Sequence, residues 1–216
     1  MICYNQDTMW VLLLLFLSWP GGLSQTAEEV ALNLENRMSA LHSLQAEFQQ
    51  TLYPATVSTP LQEKGTLYIR KPGWLRFDYD DPEIKVFLIK GDLYQEYWPE
   101  DKQLLERTLQ ANGSEGALLA LLSGSSGILE HYQVELDPDA QEDAGSHTLK
   151  LTPREEDADT YILLEIDARD WLIHRAVSFD WTGSRQEFVF SDIKTGIRLS
   201  DSIFTLKVPP DVDIIK

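Results

Sequence analysis

The sequence predicts a mainly β protein with few helices, built on one antiparallel sheet that is strongly curved or barrel-like. Three observations predict it. From Leu44 onward, apolar residues recur at every second position in one short run after another, which is the period of a strand. The runs are separated by brief turn signals: Lys71-Pro72-Gly73, Asp81-Pro82, Lys90-Gly91-Asp92, Thr182-Gly183-Ser184 and Thr195-Gly196. Such short connections join antiparallel neighbours, and so many strands in one chain force the sheet to curve. Downstream of the N-terminal leader, only two segments read as helices.

The first element is not part of the fold. Residues 9–19, "MWVLLLLFLSW", are apolar but too short for a bilayer, which needs ~20 such residues. They lead into "PGGLS", with Gly22 and Ser24 at −3 and −1 of a cleavage site. This is a signal-peptide pattern, so residues 1–24 are expected to be removed and residues 25–216 to form a single domain. The leading "MICYNQDT" carries no Lys or Arg, unlike an ordinary secretory leader, and Met9 is a second candidate start. Cys3 is the chain's one cysteine and precedes the apolar run. A cleaved chain therefore has no thiol for a disulfide, a Cys-based metal site or an acylated N-terminal cysteine.

Thr26 can cap a helix through "AEEVALNLENRMSALHSL". Glu28 and Glu29 sit in its first turn, where the dipole favours them, and Val30, Leu34, Met38 and Leu41 form one apolar stripe. The period then changes to two: Leu44, Ala46, Phe48 and Leu52 alternate with polar residues, and Gln50 is the exception in the apolar row. Strand patterns follow at 65–71, 74–79, 84–90, 92–98 and 102–109, then at 131–137, 147–153, 160–168, 173–181, 185–194 and 202–208. Between the two sets stands "SEGALLALLSGSSG", where Ser114 can cap a short leucine-rich helix from Glu115 to about Leu122. So short a helix must dock on something to persist, and the Gly/Ser run beside it permits movement.

Charge excludes several partners. Asp and Glu number 35 against 18 Lys and Arg, a formal −17, so nucleic acid and anionic lipid surfaces repel the chain on average. The acidic stretches "DPDAQEDAGS" and "REEDADT" lack calcium-loop spacing and read as solvated hairpin loops. The four histidines (His42, His131, His147 and His174) are not paired at metal-ligand spacing, "HExxH" is absent, and the Gly124–Gly127 stretch "GSSG" is not a nucleophile elbow. No cofactor and no enzymatic activity are expected.

The motifs, taken in order, carry a resemblance. "F-x-Q" near Phe48, "G-x-L-x-I-x-K-P" from Gly65 to Pro72, "R-F-x-Y-x-x-P" from Arg76 to Pro82, "L-I-K-G-D" near Ile89, and "F-T-L-K-V-P-P-D-V-D" from Phe204 to Asp213 together resemble the periplasmic outer-membrane lipoprotein carrier family, LolA. The resemblance runs over essentially the whole chain after the leader. It implies an incomplete, half-open antiparallel β-barrel covered by a lid of helices. The implied role is a monomeric periplasmic carrier that takes acylated lipoproteins from an inner-membrane release ABC transporter complex and hands them to an acylated outer-membrane acceptor. A lipid- or peptide-sensing regulator, or a carrier of another lipid such as a glycolipid, shares the fold and is the alternative. Neither nucleic acid nor a metal enters this picture.

Carried over position by position, the resemblance assigns the inward-facing wall to Phe48, Leu67, Leu75, Phe77, Tyr79, Phe87 and Ile89, and the lid to Leu118, Leu119 and Leu122. Taken alone, each of these reads as ordinary core. In the family an Arg before the strand-turn Pro latches the closed lid; here Lys71 stands in that place, with Arg70 beside it. Lysine offers a point charge in place of the guanidinium fork.

Overall fold

In the computed structural model, residues 25–108, 122, 127–138, 140, 145–154 and 160–216 are described. The expected signal peptide lies outside them, as does nearly all of the mid-chain leucine segment, including Leu118 and Leu119. The chain begins with α1 (Ala27–Ala40), closed at its start by a full capping box: Glu29 N donates to Thr26 Oγ1 at 3.2 Å, and Thr26 N donates to Glu29 Oε2 at 3.0 Å.

Six strands follow as a meander: β1 (Ser43–Tyr53), β2 (Leu61–Arg70), β3 (Trp74–Asp81), β4 (Lys85–Lys90), β5 (Leu93–Trp98) and β6 (Gln103–Thr108). After a single short turn of helix, α2 (Ile128–His131), come β7 (Tyr132–Leu136), β8 (Ser146–Pro153), β9 (Tyr161–Asp167), β10 (Ile173–Phe179) and β11 (Arg185–Thr195). β1 pairs with both β2 and β11, which joins the two meanders into one sheet. A last strand, β12 (Asp213–Ile215), runs parallel to β6, and the order is β12-β6-β5-β4-β3-β2-β1-β11-β10-β9-β8-β7. The sheet is therefore open and unclosed, with β7 at one edge and β12 at the other.

Strand alternation gives the two faces their character. Leu44, Ala46 and Phe48 of β1, Leu67 and Ile69 of β2, and Leu75, Phe77 and Tyr79 of β3 all point inward with Phe188 and Phe190 of β11. The stripe Val30, Leu34, Met38 of α1 buries itself in the same apolar cluster, where the helix packs on α2, β7 and β8. At the centre of this face Gly65 lies opposite Phe48 and Tyr79. A Cβ added there would stand 1.9 Å from the Asp78 carbonyl oxygen on the next strand, so that β2 and β3 would have to move apart. Gly65→Ala is expected to cost about 2 kcal/mol, read as a fall of roughly 4–8 °C in thermal midpoint.

One strand expectation is corrected. Residues 202–208 alternate like a strand, but the chain there makes a 3-10 turn at Asp201–Phe204 and lies across the outer, convex face. Phe204 and Leu199 join Leu88 in a second apolar cluster, flanked by Trp74 and Tyr68. Arginine side chains replace a neighbouring strand as partners for this backbone: Arg70 donates to Leu199 O at 3.1 Å, and Arg76 donates to Ile203 O. Arg70 also stacks on Trp74 at 4.0 Å and pairs with Asp201 at 2.7 Å. This strap carries the chain around the outside of the sheet to β12.

Candidate functional site

The inner face is not packed along its whole length. Beside the part covered by α1, a cavity of about 280 Å³ opens between residues of β1, β2, β3, β4, β5 and β11. Its apolar wall includes Leu75, Phe77 and Tyr79 from β3, Phe87 and Ile89 from β4, and Phe188 from β11. The aromatic part of the wall is closely interlocked. Phe77 meets Phe48 edge-on at 5.1 Å, and Tyr79 meets Phe87 at 5.2 Å, the geometry that ring quadrupoles favour.

Of the wall positions assigned from the sequence, Leu75, Phe77, Tyr79, Phe87 and Ile89 line this cavity. Phe48 and Leu67 lie behind it in the buried cluster, where Leu122 also sits. The row Leu75, Phe77, Tyr79 is thus both buried and adjacent to open space. The structure adds lining residues that sequence reasoning did not single out: Leu52, and on the polar side Gln50, Glu63, Lys85, Tyr94, Glu96 and Gln186. Gln50 had a signal, as the polar exception in an apolar row.

Most of the charged groups on that side are paired. Lys85 Nζ contacts Glu63 Oε1 at 2.5 Å and sits 4.6 Å from the centre of the Tyr79 ring. The Tyr94 hydroxyl donates to Glu96, and burial together with that carboxylate pushes the phenol well above its usual range. Among the described residues no group of His, Cys, Asp and Glu is arranged to hold a metal ion, and no helix is long and apolar enough to cross a membrane.

The family model for the outer membrane lipoprotein carrier protein LolA matches residues 39–207. The chain belongs to the LolA family. It is 27% identical to the outer-membrane lipoprotein carrier protein of Methylococcus capsulatus over 96% of this chain and 97% of that one. The carrier protein of Azotobacter vinelandii is 25% identical, over 95% and 97%. Among solved structures, an uncharacterized conserved protein from Thermus thermophilus superposes with a TM-score of 0.56 at 16% identity, covering 88% of this chain and 99% of that one. A DUF1329 family protein from Desulfovibrio piger gives 0.51 at 12% identity, over 84% and 98%. These two carry the fold.

In this LolA-family chain the helices over the inner face are tied down at a few polar points. Lys71, in the turn that follows β2, donates its ammonium to the Met38 carbonyl in the last turn of α1. Burial lowers the Lys71 pKa, consistent with a cation drawn partly out of water to reach a helix C-terminus, where the dipole favours it. Arg37 Nε donates to Asp170 O at 2.9 Å, which fixes the same end of α1 to the β9–β10 hairpin. Glu35 accepts from the backbone N–H groups of Ile128 and Leu129, so that α1 and α2 are held together. Arg70 and Arg76, the neighbouring cations, are engaged with the strap on the opposite face.

Proposed function

We propose that the protein is a periplasmic carrier that shelters the acyl chains of lipoproteins on the inner face of its half-barrel. It receives them from an inner-membrane release complex and delivers them to an outer-membrane acceptor. The observation that carries this reading is the apolar cavity, continuous with a buried cluster whose roof is a helix held by a few hydrogen bonds.

The physical need is large, because each methylene left in water costs ~0.8 kcal/mol. An acylated protein cannot cross an aqueous compartment unaided. In the closed form, about 280 Å³ is roughly twice the ~150 Å³ cavity that accepts one benzene ring, which is too little for even one long acyl chain. Loading therefore requires α1 to lift from the sheet and expose the rest of the inner face. Val30, Leu34 and Met38 then trade sheet contacts for contacts with hydrocarbon, and Met38 adapts readily to an irregular partner. Release is the reverse, since the helix returns to its own apolar seat and excludes the cargo. A cavity filled this way binds strongly enough to carry and weakly enough to give up.

The acidic charge, formally −17, suits a dissolved carrier that should not adsorb to anionic lipid surfaces. The "MWVLLLLFLSW…PGGLS" leader supports export through cleavage near Ser24. No reaction is assigned to the site, where Lys85 pairs with Glu63 and Tyr94 donates to Glu96. Mass spectrometry of lipids and peptides that co-purify with the protein from the periplasm tests the reading. Triacylated N-terminal cysteine peptides are expected. Stoichiometric glycolipid with no lipopeptide would instead support the carrier of another lipid.

A further inference from the structure

We infer that Gln50 forms, with Tyr79, a recognition point for the uncharged carbonyl that ends an acyl chain, so that the cavity selects acyl esters and amides over free fatty acids and bare hydrocarbon. This deepens the carrier reading above and rests on it.

Gln50 occupies an inward position of β1, between Glu63 on β2 and Phe188 on β11. It is only 7% exposed and lines the cavity. An amide placed among aromatic rings loses its water, and that loss must be offset by hydrogen bonds. The Tyr79 hydroxyl meets part of the demand, donating to Gln50 Oε1 at 2.5 Å. This bond also fixes the amide, since an oxygen that accepts from Tyr79 leaves the NH2 group as the free end. Among the described residues no acceptor is hydrogen-bonded to that NH2. The site therefore offers an amide donor in the lining of a cavity whose other wall is hydrocarbon-like.

The surrounding charges decide which acceptor fits. Glu63, Lys85 and Glu96 line the same cavity, and Lys85 is already paired with Glu63. Two carboxylates and one committed ammonium repel a fatty-acid carboxylate, whereas an ester or amide carbonyl accepts the N–H without bringing a charge. Plain alkane would leave the donor unsatisfied. Such sites discriminate strongly because they penalise the ligand that lacks the partner group.

The test is displacement of a bound hydrocarbon dye, diphenylhexatriene, by 1-monopalmitoylglycerol, palmitoylethanolamide, sodium palmitate and hexadecane. The wild-type protein is expected to bind the ester and the amide more tightly than the carboxylate or the alkane. In Gln50→Leu and Gln50→Met the ester and amide should weaken about five- to tenfold, while hexadecane binds more tightly than to wild type because no donor is then left unsatisfied. Circular dichroism identifies which variant is folded for the comparison. Tyr79→Phe should lose part of the same preference, since the amide is then no longer held in place. A synthetic tripalmitoyl-cysteinyl peptide and dipalmitoylglycerol, run side by side, separate a lipoprotein's esters from those of a free lipid; the peptide is expected to displace the dye at the lower concentration. Unchanged ester binding in folded Gln50 variants would overturn this inference and leave the carrier reading standing. Failure of the wild-type protein to bind any of the acyl compounds would overturn both.

Discussion

A Phe77→Glu variant is expected to stay folded and take up no acyl cargo. Phe77 is 3% exposed and touches the rings of Phe48 and Phe188, with centroids at 5.1 and 5.7 Å. Loss of those contacts costs about 3–5 kcal/mol, and in a sealed core the added carboxylate would cost several more. Together these would exhaust a stability of ~5–15 kcal/mol. Phe77, however, borders the cavity, so water can follow the carboxylate in. The loss then stays near the packing term, a fall of roughly 10 °C in thermal midpoint for a chain of this size. Acyl binding should vanish, because a charge now stands on the surface meant for hydrocarbon. Circular dichroism melts and a dye-displacement assay read the two effects separately. A protein that fails to fold would return Phe77 to plain core, and a folded variant with wild-type uptake would remove the inner face from the mechanism.

Loss of the Lys71 donor should act on delivery rather than on uptake. Its bond to the Met38 carbonyl exists only while α1 is seated, so it stabilises the closed, empty form. A hydrogen bond from a charged group contributes about 1.5–3 kcal/mol, discounted here because Lys71 is partly exposed. Lys71→Leu is expected to shift the balance toward the open form by about tenfold. Cargo stays bound and its transfer to the acceptor slows by a similar factor, while Lys71→Arg preserves transfer. Equal transfer rates for wild type and Lys71→Leu would move the latch to Arg37, which secures the same end of the helix to Asp170. Arg70 and Arg76 are not substitutes, since both serve the convex face.

Much of this architecture was legible in local sequence. The inward rows Leu44-Ala46-Phe48 and Leu75-Phe77-Tyr79 follow from a period of two, because one side of the sheet is dry and the other wet. The start of α1 was equally plain, since a capping box is satisfied within four residues. What stayed hidden depends on distant partners. Residues 202–208 have the alternation of a strand, yet the Ile203 carbonyl is met by the Arg76 side chain of β3, and Arg70 of β2 holds Leu199 just before them. Three residues of β12 carry no period at all, and their pairing with β6 spans half the chain. For Lys71, only the family resemblance implied a latch before Pro72, and its partner, a backbone carbonyl of α1, has no side-chain signature. Gln50 was visible as a break in an apolar row, and only the fold shows that the break faces a cavity.

Whether the inner face carries acyl chains between membranes is read from lipoprotein release by spheroplasts incubated with the purified protein, the soluble fraction being resolved by size-exclusion chromatography. Mature lipoprotein is expected to appear in solution as a 1:1 complex with the protein, and Phe77→Glu is expected to release none. Lipoprotein that stays in the spheroplast membrane with the wild-type protein, under conditions where an established carrier releases it, would contradict the carrier role.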